Sequence, residues 1–264
     1  MNQQCRLFFR KRNAKLMAVF LGVILIYLVA SAVTSFDLSK GIVAFPEAFL
    51  WIVQKLVPDA KAWERFPRIL DKLFETALLS TASTVVAALL VFPASLLGSK
   101  ATGFKGWINQ AVRMIAAFFR NVPDVVWAML LMFSFGQNIL TGFFALFFTT
   151  FGLLTRAFIE TIDEVSASCI EALEACGGNF LQIVVQGIIP STITEIITWI
   201  LYMIETNIRS STLIGMLTAT GIGYLFDMYY KRLEFGSASL VVLSIVVLVI
   251  IIENISNFIR KVIK

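Results

Sequence analysis

The sequence predicts an all-α membrane protein of about six transmembrane helices, and three observations carry that prediction. Of 264 residues, 58% are hydrophobic and only 15% charged, against about 45–50% and about 25% in soluble globular domains. Uncharged runs of about twenty residues recur along the chain, long enough to cross a hydrocarbon core. Lysine and arginine gather in the loops and at the ends, as the positive-inside rule requires of cytoplasmic segments. The length alone would suit one or two soluble domains, but the hydropathy overrides it.

The same composition excludes several classes of function. There is no histidine, which removes His-based metal sites, His general bases and Ser-His-Asp triads. Cys5, Cys169 and Cys176 show no CxxC spacing. No Gly-Lys dipeptide occurs, so a Walker A phosphate loop is impossible and ATP-driven work would fall to a partner. A net charge of +5, dispersed along the chain, does not suggest nucleic acid.

A basic leader, RLFFRKRNAK, precedes twenty uncharged residues from Met17 to Phe36, the first span. Ala30-Ser31-Ala32 also resembles a small-residue cleavage site, which keeps a cleaved signal peptide as the rival reading. Asp37 to Glu75 is polar and mixed in charge, with apolar residues at helical spacing around 49–56 and 66–74, and is expected to form external interfacial helices. Residues 1–75 thus make a leader, first span and external segment, and 76–264 the transmembrane core. Thr76 to Ser99 is the second span, ending in the basic loop GSKATGFKG. Trp107 to Phe135 is too long for one straight crossing and is broken at RNVPD, where Pro123 removes a backbone donor and clashes with the preceding turn. A fourth span follows Gly136–Asn138 and ends near Thr155-Arg156, and a fifth runs from about Ser191 to Ile208. SSTLIGMLTATGIGYLF is too interrupted to assign, and the last span is Phe235 to Ile252. This count places both termini and all three cysteines in the cytoplasm.

Between the fourth and fifth spans lies EALEACGGNFLQIVVQGIIP, Glu171 to Pro190. Ile159 to Cys176 can form a helix about 27 Å long. Gly177-Gly178 stops it, since glycine takes the left-handed conformation readily. Asn179 suits an N-cap, Gln182 completes a capping-box pattern, a second helix runs to Gly187, and Pro190 fits the first turn of the next span. A loop that only joins two spans is the simpler reading. The uncharged stretch Ala175 to Thr194 also mimics a span, but its glycines, Gln182, Gln186 and Pro190 would leave polar groups unpaired in lipid. A rigid apolar-faced hairpin at about 160–190 fits a docking element for a cytosolic partner better.

Two charged groups fall inside the spans. Arg120 sits in the middle of the third stretch, where arginine costs at least about 2.5–3.5 kcal/mol and should face protein or water. Structurally, the proline break lets it snorkel to a surface or it pairs with Asp124; functionally, with Pro123, it lines a path where the broken helix offers backbone donors to an anion. Glu205 and Arg209 stand four apart in the favourable acid-then-base order, with Asn207 off that face. They serve helix packing or, with Asn207 and Thr212, line a translocation path in which Glu205 moderates the attraction of Arg209 for an anion. Gly215, Gly221 and Gly223 are candidate hinges or close-packing sites near an external gate.

The order Glu171-Ala172, Gly177, Pro190 resembles the EAA motif of bacterial ABC importer permeases, with Leu173 for the usual second alanine and Gly187 for a usual isoleucine. More narrowly, ETNIRSSTLIGMLTATGIG, RNVPDVVWAML and TTFGLLTRAFIE are similar to the phosphonate ABC transporter permease family, from about Thr76 to the C-terminus. Ala219-Thr220 departs from it, since the family tends to be richer in glycine there. The resemblance implies a type I importer permease fold in the bacterial cytoplasmic membrane. It also implies docking of Glu171, Ala172, Gly177, Gly178 and Pro190 to a cytosolic ABC ATPase dimer that binds ATP and Mg. A second permease copy, an external binding protein and no cofactor in this chain complete the implied assembly. Permeases for phosphite, phosphate or methionine, a secondary transporter, which would more often show internal repeats, and a membrane-embedded enzyme acting on lipid phosphates are the alternatives.

Overall fold

The computed structural model describes residues 3–55, 57–102, 106–165 and 167–263, and among them every regular element is helical. The chain divides into two compact units, Met1–Lys55 and Leu56–Lys264. The first contains α1 (Gln3–Thr34) and α2 (Leu38–Lys55). Within α1, Lys11–Thr34 is long and apolar enough to cross a membrane. The Asp37 carboxylate accepts hydrogen bonds from the Ser39 amide (3.0 Å) and hydroxyl (2.6 Å) and so starts α2.

In the second unit, α3 (Ala60–Glu64) is capped by the Asp59 side chain, which accepts from the Ala62 amide at 2.9 Å. Next, α4 (Phe66–Gly98) is one helix of 33 residues. The stretch expected as a separate interfacial helix at 66–74 is therefore its opening turns. Pro67 sits where a missing amide hydrogen costs nothing, and Lys72 and Glu75 pair at 2.5 Å, so charge does not end the helix. After α4 come α5 (Trp107–Asn121) and α6 (Asp124–Phe135), broken at Val122-Pro123 and bent by 89°.

Helix α7 (Ile139–Val165) passes the expected end at Arg156 by nine residues, because Ile159 and Ile162 extend its buried face. The hairpin's first arm is accordingly only α8 (Ala167–Ala175), not a helix from Ile159. The second arm, α9 (Phe180–Gln182), runs through a π-helical segment (Ile183–Ile188) directly into α10 (Ile189–Thr218). Hairpin arm and fifth span are thus one continuous rod, where a boundary before Ser191 and an end at Ile208 were expected. The wide π turn changes the ladder's register just where Pro190 has no amide hydrogen to give. Then follow α11 (Gly221–Lys231), which occupies the unassigned glycine-rich section, and α12 (Phe235–Ile263), eleven residues longer than its uncharged run.

The core of the second unit is built on α4, α7 and α10. Ala88 and Val91, Leu154 and Phe158, and Ile196 and Met203 meet at its centre. Small residues on α4, among them Ser80, Ser83, Thr84 and Ala87, are wholly buried and let the helices approach closely. A cluster of Ile69, Ile222, Leu225, Tyr229 and Val241 closes the end opposite the hairpin. There the Arg65 guanidinium forms a two-pronged bond to the Glu234 carboxylate, with Nη2 to Oε1 at 3.1 Å, and lies 5.0 Å over the Tyr229 ring.

Candidate functional site

The hairpin's turn is set by short-range hydrogen bonds. Gly177 adopts φ +78°, the Gly178 amide reaches the Leu173 carbonyl (2.9 Å), and the Gly177 amide reaches that of Glu174 (3.0 Å). That pair of bonds is the Schellman motif. Asn179 and Gln182 then form the reciprocal capping box expected from the sequence, both bonds at 2.9 Å. Beneath it, Ile170, Ile183, Val184 and Ile188 pack on Leu96 of α4 and Ile162 of α7, so the hairpin is seated on the ends of two core helices. Its outer side exposes Glu171, Ala172, Leu181 and Val185, with Pro190 beside them. An apolar surface flanked by a carboxylate is what a protein partner can bury.

A second polar network holds the loop after α4. Asp163 of α7 accepts from the Ser99 hydroxyl (2.5 Å) and the Lys100 amide (2.9 Å), and pairs with Arg113 of α5 at 2.9 Å. Arg113 and Asn109 also donate to the Gly98 carbonyl.

The charged groups within the apolar helices are arranged differently from their sequence order. Asp124 does not pair with Arg120. The 89° bend places Asp124 at the start of α6, where its carboxylate accepts from the Val125 amide at 2.8 Å. The Val126 and Trp127 amides bond the Pro123 carbonyl (3.0 and 3.1 Å). These first-turn donors are thus already taken, and the break offers none of them to an anion.

Arg120 itself is half-buried and has no hydrogen bond or ion pair among the described residues. The approach of its backbone to α7 depends on Gly152, where a Cβ would lie 2.5 Å from the Arg120 backbone nitrogen and 2.7 Å from the Ala116 carbonyl. Arg120 lines two depressions of about 250 and 320 Å³, and Arg156 and Glu160 line both. Arg113 and Ile159 also line the first; Trp199, Tyr202, Met203 and Thr206 of α10 also line the second. Arg156 and Glu160, absent from the sequence-based candidates, stand four apart and pair at 2.5 Å. The signal that would have found them is the apolar periodicity continuing through Ile159 and Ile162, which keeps Arg156 inside the helix.

On α10, Arg209 donates to Glu205 at 2.8 Å, with Arg209 half-exposed and Glu205 largely covered. Asn207 is turned the other way. It is 3% exposed, its amide donates to the Thr84 and Thr150 hydroxyls at 2.8 Å each, and its carbonyl accepts from Ser80 at 3.2 Å. It ties α4, α7 and α10 together inside the bundle. Thr212 is half-buried and faces Gly223, where a Cβ would lie 2.0 Å from the Thr212 carbonyl. Gly215 likewise leaves 2.5 Å between a Cβ and the Thr220 carbonyl, and Gly221, at φ +59°, 2.4 Å to the Thr76 hydroxyl. These three glycines hold α10, α11 and α4 in close contact. Between them Ala219 takes the left-handed conformation, at φ +56°. The Glu75 carboxylate and Thr76 hydroxyl accept from the Gly221 and Ile222 amides (3.1 and 2.8 Å), which caps α11 from α4.

Residues 91–264 match the family described as binding-protein-dependent transport system inner membrane component. The chain is 27% identical over 251 residues to a protein of Stutzerimonas stutzeri named for phosphite transport, the permease HtxC, covering 95% of this chain and 87% of that one. It is 26% identical to the phosphate-import permease protein PhnE of Mycolicibacterium smegmatis, over 71% of this chain and 35% of that protein. Among solved structures, the MetNI methionine ABC transporter in inward-facing conformations matches with a TM-score of 0.64 at 18% identity, over 74% of this chain and 96% of that one. An amino acid ABC transporter solved with histidines matches at 0.66 and 15%, over 78% and 98%. The likeness to both is one of fold.

Proposed function

The chain belongs to the family of binding-protein-dependent transport system inner membrane components, the permeases of ABC importers, and on that premise we propose that it carries phosphonate, or a closely related phosphorus oxyanion, by alternating access driven by a separate ATPase. The observation that carries the mechanism is the docking hairpin: a rigid turn, an exposed apolar side, and a second arm continuous with α10. In this reading Glu171, Ala172, Gly177, Gly178 and Pro190 meet the ATPase, which holds ATP and Mg. A second copy of the chain faces the first, and an external binding protein delivers substrate.

Closing of the ATPase dimer on ATP draws two hairpins together, and α10 carries the movement to its far end. Gly215, Gly221 and Gly223 sit at the contact that must part there. The path for the anion runs past Glu205 and Arg209, Thr212 and Arg120. A lone arginine would hold the anion too well, whereas the paired carboxylate at 2.8 Å lets Arg209 give it up. The substrate class, a phosphorus oxyanion, is supported by the names of the relatives, three for phosphite, one for phosphate and one, PhnE2 of Escherichia coli, for phosphonate, 30% identical over 44% of this chain.

The test is ATPase activity of the complex in nanodiscs, with its ATPase and binding protein, titrated with alkylphosphonates, phosphite, phosphate and methionine. Stimulation by phosphonates, with phosphite or phosphate weaker, is the expected result. Stimulation by methionine alone would discard the substrate class and keep the importer. Gly177→Pro, which cannot reach φ +78°, should uncouple ATPase activity from transport.

A further inference from the structure

We propose that Arg120 and Arg156 together form a transit site for a small tetrahedral oxyanion, occupied when Arg156 turns from Glu160 to the ligand; the substrate class rests on the function proposed above. Four observations carry it. Arg120 is a guanidinium in an apolar segment, and such groups persist where they face protein, water or a ligand. Among the described residues it has no hydrogen-bonding or ionic partner. It lines both depressions, which have room for an ion of this size. Finally, the charged groups around the two depressions are three arginines and one carboxylate: Arg113, Arg120, Arg156 and Glu160.

The members of this group are committed to different degrees. Arg113 is held by Asp163, the Gly98 carbonyl and Asn109, so it contributes field rather than a contact. Among the described residues Arg156 is tied only to Glu160, in the order base then acid along the helix, the weaker of the two orders. Both side chains are about half-exposed, 54% and 52%, so this pair is easily exchanged. Two guanidinium forks match the edges of a tetrahedral dianion and give charge-assisted hydrogen bonds. In the larger depression Tyr202 and Thr206 line the same wall, the Thr206 hydroxyl donating to the Tyr202 carbonyl at 2.9 Å. Glu160 then has a defined part: it reclaims Arg156 and repels the anion, which makes occupancy transient.

The experiment has a binding arm and a transport arm, both on the complete permease–ATPase complex. Binding of methylphosphonate to the complex in nanodiscs, without the binding protein, is followed by phosphorus NMR line broadening. Uptake of radiolabelled phosphite and of methylphosphonate is followed in proteoliposomes with the binding protein present. Arg120→Gln should assemble with stoichiometric ATPase yet lower uptake at least about tenfold and abolish saturable broadening. Arg120→Lys should keep part of both, since a point charge replaces a fork. Glu160→Gln should bind methylphosphonate more tightly and release it more slowly. Lys261→Gln, an exposed charge in the last turn of α12, should match the wild type.

Unchanged binding and uptake in Arg120→Gln overturn the site while leaving the permease function intact. If the wild type transports only a ligand of another class, the substrate reading fails, and the binding arm alone decides the site. Broadening lost in Arg120→Gln then upholds it, and broadening retained overturns it.

Discussion

Around Asn207 each polar atom of the side-chain amide nitrogen and backbone carbonyl has a partner, and the residue is buried among Ser80, Thr84 and Thr150. Around Arg120 a full charge has none among the described residues and opens on two depressions. Both residues interrupt apolar helices, and both look costly from the sequence. The difference teaches how to sort them. A polar group whose bonds are satisfied within the bundle fixes one arrangement of helices. One left without a partner beside open space faces water or a ligand, and in the transit site proposed above it faces the ligand.

That distinction is sharpest when stability and transport are measured on the same variants. The largest loss of stability should come from the packed side. Gly223→Ala puts a Cβ within 2.0 Å of the Thr212 carbonyl and 2.9 Å of the Met216 nitrogen, both backbone atoms that cannot rotate away. A cost of about 3 kcal/mol is expected, read as a fall in thermal unfolding temperature and yield. Gly142→Ala, with its nearest neighbours at 3.5 Å or beyond, should be nearly silent. Asn207→Ala should cost about 1 kcal/mol, in the range of interhelical hydrogen bonds in membranes, with uptake falling no further than folded protein does. A large transport defect in fully folded Asn207→Ala would break the comparison by giving the satisfied residue a second role.

A smaller effect is expected from the Arg65–Glu234 fork at the end opposite the hairpin. The hydrogen bond from Arg65, helped by its charge, holds the Glu234 carboxyl below its ordinary value of 4.5. A carboxyl with a lowered folded pKa stabilises fully above the unfolded value, and that contribution fades as pH falls through the folded one. Both side chains are about one-third exposed, so screening keeps the contribution small. Wild type and Glu234→Gln should differ in thermal stability at pH 7 and converge at acid pH. A difference that grows on acidification would reverse the sign. Arg120→Gln should also change stability little, within about 0.5 kcal/mol of wild type, although transport falls steeply. Marked destabilisation of that variant would move Arg120 to the same side of the comparison as Asn207.

The hairpin's turn was the most legible part of the site, because a Schellman motif and a capping box are decided by residues within a few positions of each other. Helix extents were less so. Charge was taken as a boundary at Glu75 and Arg156, yet each of these residues finds a partner on its own helix, Lys72 and Glu160, and the helix runs on. That one error of boundary also hid Arg156 and Glu160 from the candidate site. The Arg120–Asp124 pair failed for a geometric reason: four residues make neighbours only if the helix between them is unbroken. Ala219 gave no signal, since alanine is an ordinary helix former. Its left-handed backbone, at φ +56°, is set by the contact of α10, α11 and α4 around it.

The run from Phe180 to Thr218 has a mechanical consequence. At 1.5 Å per residue its 39 residues span about 58 Å, so it acts as a lever clamped at several points along its length. One clamp is the π segment itself, whose Ile183, Val184 and Ile188 are part of the hairpin's seat on Leu96 and Ile162. Further along, Asn207 bonds Thr84 and Thr150, and Gly215 lies against α11. A push on the hairpin therefore moves the helices it is clamped to as one body, and the far end shifts with it.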